Sequence, residues 1–158
     1  KSSGEIISMP KSITAYLSGP MYLGKEQATG WRDEIKEQML RWQQSPANRS
    51  LIHFNVLDPC NRWYDKGVQL DDVGGYVVQM DKMEIAKSDV VIVNATNPGW
   101  GTPMEQYIAW MTGKMVLAFS DCEYPSIWAK VHSNQFFRTH IEAAEFLCSI
   151  AHNIARVV

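Results

Sequence analysis

The sequence predicts a single α/β domain, with a parallel sheet of about five strands flanked by helices. Val90-Val-Ile-Val93 is a continuous β-branched run with no polar alternation, the habit of a strand buried on both faces. Asn97-Pro98-Gly99 and Gly101 break that strand, and a helical stretch follows. Strand-like and helix-like segments alternate along the rest of the chain. That alternation predicts a doubly wound sheet with right-handed crossovers.

Bulk properties bound the function. A length of 158 residues suits one domain with a full core. Hydrophobic content of 46% and charged content of 20% are ordinary for a globular chain. A net charge of −2 and the lack of a basic stripe leave no electrostatic footprint for nucleic acid. No apolar run approaches the roughly 20 residues that span a bilayer, so no membrane partner is expected. Residues 1–12 are expected to be a flexible leader. They lack the hydrophobic region of a signal peptide. Cys60, Cys122 and Cys148 are an odd number at unrelated spacings. They read as reduced thiols of a cytoplasmic protein, not as a disulfide framework or a zinc site. His53, His132, His140 and His152 share no metal-ligand spacing, and no metal site is expected.

Taken in order, Ile13 to Leu17 is the first strand, ending at the turn Ser18-Gly19-Pro20. Ala28 to Gln44 is the first helix, with Trp31, Ile35, Met39 and Trp42 on its buried face. Ser45-Pro46-Ala47-Asn48 ends it. Leu51 to Leu57 is the second strand, closed by Asp58-Pro59. Residues 60–74, with Trp63 and Tyr64, show no strong periodicity, and an irregular stretch of that length is usually functional or disordered. Tyr76 to Lys87 is the second helix, with Val77, Met80, Met83 and Ala86 expected to face inward. The strand at 90–95 follows. Thr102 is expected as N-cap of the next helix, with Pro103 first in the helix and Glu105 at N3. That helix runs from Met104 to about Thr112, and Gly113 is its stop. Lys114 to Phe119 is the fourth strand, and Gln135-Phe-Phe137 a short fifth. Thr139 and Glu142 form a capping box, opening a helix whose apolar face is Ala143, Phe146, Leu147, Ile150 and Ile154.

This topology brings three chemical groups together. In open parallel sheets, ligands bind outside the carboxyl ends of the strands. Tyr16 lies near that end of the first strand, and Glu105 just past the third. Asp89 begins a strand and therefore sits at the amino edge. Asp81 is eight residues earlier on the preceding helix. At 1.5 Å per residue it lies about 12 Å back toward the carboxyl edge, within reach of the site. Each also has a structural reading. Glu105 could only cap its helix, Asp81 could be a solvated or ion-paired helix residue, and Tyr16 could be a core aromatic. Asp89 reads as structural. Trp63 and Trp100 could stack on a planar ligand or merely pack.

The elements Tyr16-Leu-Ser-Gly-Pro20, Leu57-Asp-Pro59, Asp81 with Ser88-Asp-Val-Val91, Gly101-Thr-Pro-Met-Glu105 and Gly113-Lys114 together resemble the nucleoside 2-deoxyribosyltransferase family. The resemblance runs in order over about residues 13–150 and implies a Rossmann-like or flavodoxin-like domain over 13–158. It further implies a homo-oligomer, dimer or higher, that cleaves the N-glycosidic bond of 2′-deoxynucleosides. The partners implied are a nucleoside or nucleotide and a free nucleobase. No metal or organic cofactor is implied. Glu105 matches the nucleophile, Asp81 the acid toward the departing base, and Tyr16 the residue that orients the nucleophile. The helix N-terminus is expected to keep Glu105 ionised. The same resemblance places Ser18, Gly19, Pro20, Asp58, Gly99, Trp100, Gly101 and Thr102 around the substrate. Asn134 matches an asparagine that a neighbouring subunit lends to the sugar 5′ end.

One departure bears on substrate. Transferases often carry Asp two residues before the glycine of Gly-Thr, over the sugar 5′-hydroxyl. Here that residue is Gly99. Related nucleotide hydrolases tend to have a small neutral residue there, because an Asp would repel a 5′-phosphate. A phosphate could rest on the backbone N–H groups of Ser18-Gly19 and Gly99-Trp100-Gly101, helped by the Ser18 hydroxyl. Transfer to another base is thus the leading expectation. Hydrolysis of (deoxy)nucleoside 5′-monophosphates, as an N-glycosidase, is its rival. A non-catalytic nucleotide sensor on the same fold is a third reading.

Overall fold

The computed structural model describes residues 9–21, 24–63 and 70–158. Tyr64 and the side chain of Trp63 lie outside what is described. Among the described residues the chain forms β1 (Lys11–Ser18), α1 (Lys25–Gln43), β2 (Ile52–Leu57), α2 (Cys60–Trp63), a 3-10 turn (Leu70–Val73), α3 (Gly74–Lys87), β3 (Val90–Asn94), α4 (Gly101–Met111), β4 (Met115–Phe119), α5 (Ile127–Val131), β5 (Gln135–Phe137) and α6 (His140–Ile154). All strand pairs are parallel, in the order β2-β1-β3-β4-β5. This is the flavodoxin-like order, with its switch point between β1 and β3. No helix among the described residues is long and apolar enough to cross a membrane.

Alternation along the strands divides the core into two layers. Ile13, Ala15 and Leu17 of β1 pack with Trp31, Ile35 and Met39 of α1 and with Ala143, Leu147 and Ala151 of α6. Tyr16 points to the other face, with Ile85 of α3, Val91 and Val93 of β3, and Ala109 of α4. All five residues of β3 are buried, as its β-branched run requires. The capping box of α6 is present. Glu142 N–H donates to Thr139 Oγ1 at 3.2 Å, and Thr139 N–H donates to Glu142 Oε2 at 3.0 Å. Gly113 follows α4 at φ +76°, the left-handed conformation that stops a helix.

Several expectations are corrected. β1 begins at Lys11, inside the expected leader, because Lys11 N–H donates to Leu51 O. Residues 60–74 are not wholly irregular: α2 opens there, and α3 starts two residues early at Gly74. α3 turns only part of the expected face inward: Val77 and Met80 are half-buried. Met83 is 51% exposed, Ala86 is exposed, and Ile85 is the helix's buried residue. The inward line is Val77, Asp81, Glu84-Ile85 and Ser88, spaced as one helical face. Polar groups on that line find partners inside, while Tyr76, Val78 and Met83 are left exposed.

Candidate active site

The site forms where β1 ends beside β3. Tyr16 and Ser18 are two residues apart on one strand, so both side chains face the α3–α4 layer. They converge on Glu105 of α4. The Tyr16 hydroxyl donates to Glu105 Oε1 at 3.1 Å. The Ser18 hydroxyl donates to Glu105 Oε2. Each carboxylate oxygen thus has its own hydroxyl donor, which fixes the plane of the carboxyl group. Gly19, next in the chain, packs closely against α1 and the end of β3. A Cβ there would stand 2.6 Å from Trp31 Cζ2 and 3.1 Å from Asn94 Cβ.

Asp81 approaches from α3, close enough to Glu105 and Tyr16 to alter the ionisation of both. Arg62 of α2 reaches in from the other side. Its Nη2 donates to Asp81 Oδ1, and its Nη1 lies 2.5 Å from Glu84 Oε1. Asp89, expected to be structural, accepts from Thr14 N–H at 2.8 Å at the opposite edge of the sheet.

Burial dominates the electrostatics. The Glu105 carboxyl is pushed up to about 7 by burial, with the nearby Asp81 charge adding to the rise. The hydroxyls of Ser18 and Tyr16, and the more remote Arg32 guanidinium, work against it. This corrects the expectation that the helix N-terminus keeps Glu105 ionised. The N-cap of α4 is Trp100, without a side-chain cap bond, so Glu105 is the fifth helical residue and outside the first turn. The dipole effect fades within that turn. Asp81 is also raised, first by burial, but the Arg62 guanidinium and hydrogen bonds from its neighbours oppose the rise. Tyr16 is held far above its ordinary range by burial and by the carboxylates of Glu105 and Asp81, so it remains a neutral donor. Of the two carboxyls, only Asp81 has a cation paired directly to it among the described residues. The proton shared by such a coupled pair therefore rests more readily on Glu105.

The remaining expected site residues divide. Gly99, Trp100 and Gly101 lie exposed at the start of α4, with Trp100 91% exposed. Gly99 has open space where a Cβ would stand and no positive φ. Thr102 and Pro20 are buried. The Ser18 hydroxyl is engaged with Glu105 and is not a free donor for a phosphate. Asp58 is not placed to meet a substrate, because its side chain is 1% exposed and both oxygens are used. Oδ2 pairs with Lys36 Nζ at 2.8 Å. Oδ1 accepts from Cys60 N–H at 2.9 Å and faces Arg32 Nε at 3.4 Å. Asn134 is not brought to its own chain's site. Its Oδ1 accepts from Val116 N–H at 2.8 Å, near the amino end of β4.

Three charged residues escaped the reading of the sequence. Arg32 is fully buried and donates to Gly19 O at 2.9 Å, pinning the turn after β1. Its position was a signal: it lies on the buried stripe of α1, between Ala28 and Ile35. Arg62 lies in the stretch singled out as irregular, but nothing in its neighbours marks it. Glu84 is marked only by sharing a helical face with Asp81.

No protein-family model matches the chain, and no curated protein matches it in sequence. Solved structures share its fold. One is a 2-deoxyribosyltransferase from the psychrotolerant bacterium Bacillus psychrosaccharolyticus. It is 19% identical, with a TM-score of 0.60 over 83% of this chain and 90% of that one. Another is a conserved protein from Enterococcus faecalis, 13% identical, with a TM-score of 0.66 over 96% of this chain and all of that one. Fold and topology together define the class: a single Rossmann-like, flavodoxin-like α/β domain.

Proposed function

We propose that this protein is a nucleoside 2-deoxyribosyltransferase-like enzyme, with residues 11–158, from the start of β1, as its catalytic domain. The observation that carries the reading is the Glu105 carboxyl, oriented by Tyr16 and Ser18 at the switch point, with a second carboxyl, Asp81, beside it. A fold neighbour that is a 2-deoxyribosyltransferase supports the same class.

The chemistry follows from two carboxyls in two roles. As the base docks, the proton that rests on Glu105 passes to the neighbouring Asp81, and Glu105, now ionised, attacks C1′ of the sugar. The C1′–N bond breaks, and its electron pair leaves with the base. A proton from Asp81 neutralises the departing nitrogen. Glu105 now holds the deoxyribosyl group as an ester. A second base attacks C1′ through its nitrogen and gives a proton back to Asp81. The Glu105 carboxylate is released. Tyr16 and Ser18 hold Glu105 in line throughout, which lowers the entropic part of the barrier.

Gly99 favours one further reading, hydrolysis of (deoxy)nucleoside 5′-monophosphates. The position carries no charge to repel a phosphate and lies exposed next to the start of α4. Water then replaces the second base in the last step. Incubation with a deoxynucleoside, or its 5′-monophosphate, plus a second free base separates the two. A new nucleoside or nucleotide means transfer. Sugar or sugar phosphate with free base alone means hydrolysis. No base release from any of these substrates refutes both.

We also infer a homo-oligomer. α3 leaves Tyr76, Val78 and Met83 exposed, and the neighbouring α4 leaves Met104, Tyr107 and Met111 exposed. On α4 these three share one helical face, and Tyr76 and Met83 share another on α3; exposed apolar stripes of this kind mark an interaction surface, and a second copy of the chain would cover them. Light scattering tests this. The three free cysteines fit a reducing, cytoplasmic setting.

A further inference from the structure

We propose that Arg62 is a positioning residue for Asp81, with Glu84 as its rear anchor, an inference that rests on the glycosidic reading of the site. The geometry is a fork between two carboxylates. Nη2 of Arg62 donates to Asp81 Oδ1, and Nη1 lies 2.5 Å from Glu84 Oε1. Asp81 and Glu84 are three residues apart on α3 and so share one face. The three side chains are 17%, 13% and 17% exposed for Arg62, Asp81 and Glu84, well withdrawn from solvent. A planar guanidinium holds both partners in a fixed direction, which a lysine ammonium cannot reproduce.

Arg62 is itself held in place by a chain of contacts running to α1. Arg32 and Lys36 of α1 fix the Asp58 carboxylate. Asp58 Oδ1 accepts from Cys60 N–H and so sets the first residue of α2. Arg62 is two residues further on. The buried Asp58 thus acts on the site through α2 rather than through a substrate.

The charged and titratable groups around Asp81 are Arg62 from α2, Tyr16 from β1, Glu105 from α4 and Glu84 from its own helix. Lys87 acts on Glu84, and Arg32 on Glu105. Arg62 is the cation of this group that pairs with Asp81. It directs the Asp81 carboxyl and keeps it charged until a base occupies the site. Without Arg62 the carboxyl would protonate more readily and lose its fixed direction.

The test uses the full chain as wild type, Arg62→Gln, Arg62→Lys and Asp81→Asn. Proteins labelled with 13C at the aspartate carboxyls report the titration of Asp81 directly, assigned by its loss in Asp81→Asn. The Arg62→Gln variant should titrate Asp81 about one pH unit or more above wild type, with Arg62→Lys in between. The measurement needs no turnover, so it stands even if the glycosidic reading fails. An Asp81 titration that does not move overturns the proposal. Turnover supplies the second arm. Arg62→Gln should lower kcat at least tenfold for a natural base, leave KM nearly unchanged, and spare a substrate with an activated leaving group. It should cost little more in the Asp81→Asn background. Equal slowing of both substrates, or full additivity with Asp81→Asn, would show a structural tie between α2 and α3 and would also overturn it. Absence of turnover in wild type would refute the glycosidic reading alone.

Discussion

Tyr16 and Glu105 are 89 residues apart in sequence, and the hydroxyl of one donates to the carboxylate of the other at 3.1 Å. This bond joins the end of β1 to the second turn of α4 across the switch point of the sheet. With the Ser18 hydroxyl on the other oxygen, it orients a helical glutamate that burial has already desolvated.

Glu105→Ala should abolish base release while leaving the fold intact, since alanine is the best helix former and the carboxylate bridges nothing structural outside the site. Removing a nucleophile that acts within a unit costs at least about three decades of rate. The variant should show a normal circular dichroism spectrum beside that loss. Near-wild-type turnover in a folded variant would remove Glu105 from the nucleophile role.

Glu105→Gln should stabilise the protein at neutral and alkaline pH. The folded carboxyl is pushed up to about 7 from an ordinary 4.5. Between those values the folded state holds the proton and the unfolded state does not. The Glu105 contribution to stability is therefore fully present below about pH 4.5 and is lost as pH rises to about 7. At 1.36 kcal/mol per pH unit, the loss is at most about 3 kcal/mol. A neutral amide keeps the Tyr16 donation and is spared this loss. Its melting temperature at pH 8 should exceed wild type by up to roughly 10 °C, with the gap closing near pH 4. Thermal melts across pH check it, and a gap independent of pH would refute the desolvated carboxyl.

Asp81→Asn should slow natural deoxynucleosides far more than those with activated leaving bases. General acid help is worth roughly 10²–10⁴-fold where the leaving group needs it. Parallel kcat measurements on the two substrate classes decide. Equal slowing would mean that Asp81 positions the substrate and donates no proton.

Wild type should accept a deoxynucleoside 5′-monophosphate at least as well as the plain nucleoside, and Gly99→Asp should reverse that order. A new carboxylate about 4 Å from a phosphate in a partly desolvated cleft would repel it by on the order of 4 kcal/mol at an effective dielectric near 20. The backbone can take the side chain, because Gly99 has open space and no positive φ. The ratio of kcat/KM for the two substrate forms, on both proteins, is the readout. A wild type that strongly prefers the nucleoside would remove the argument from Gly99 and favour the transferase reading.

Much of this molecule was legible locally. The β-branched run of β3, the stripe Trp31, Ile35 and Met39, the box Thr139–Glu142 and the stop at Gly113 are short-range patterns. Backbone preferences and side-chain periodicity act over a few residues, so the sequence shows them directly. The α/β order of these elements determined which ends of which strands adjoin. That order brought Tyr16, Asp81 and Glu105 to one sheet edge.

Three features were decided by tertiary contacts alone. α3 has apolar residues on more than one face, and only the internal partners of Asp81 and Glu84 determine which face turns inward. The ionisation of Glu105 depends on its burial by the whole fold, opposed by the hydroxyls of Ser18 and Tyr16, 87 and 89 positions away. No local propensity reports that desolvation. Asp58 and Arg62 acquire their roles from partners on other elements: Arg32 and Lys36 for one, Asp81 and Glu84 for the other. Charges in a low-dielectric interior are governed by whichever opposite charge lies within a few ångströms. That distance is set by folding and has no signature in the spacing of residues along the chain.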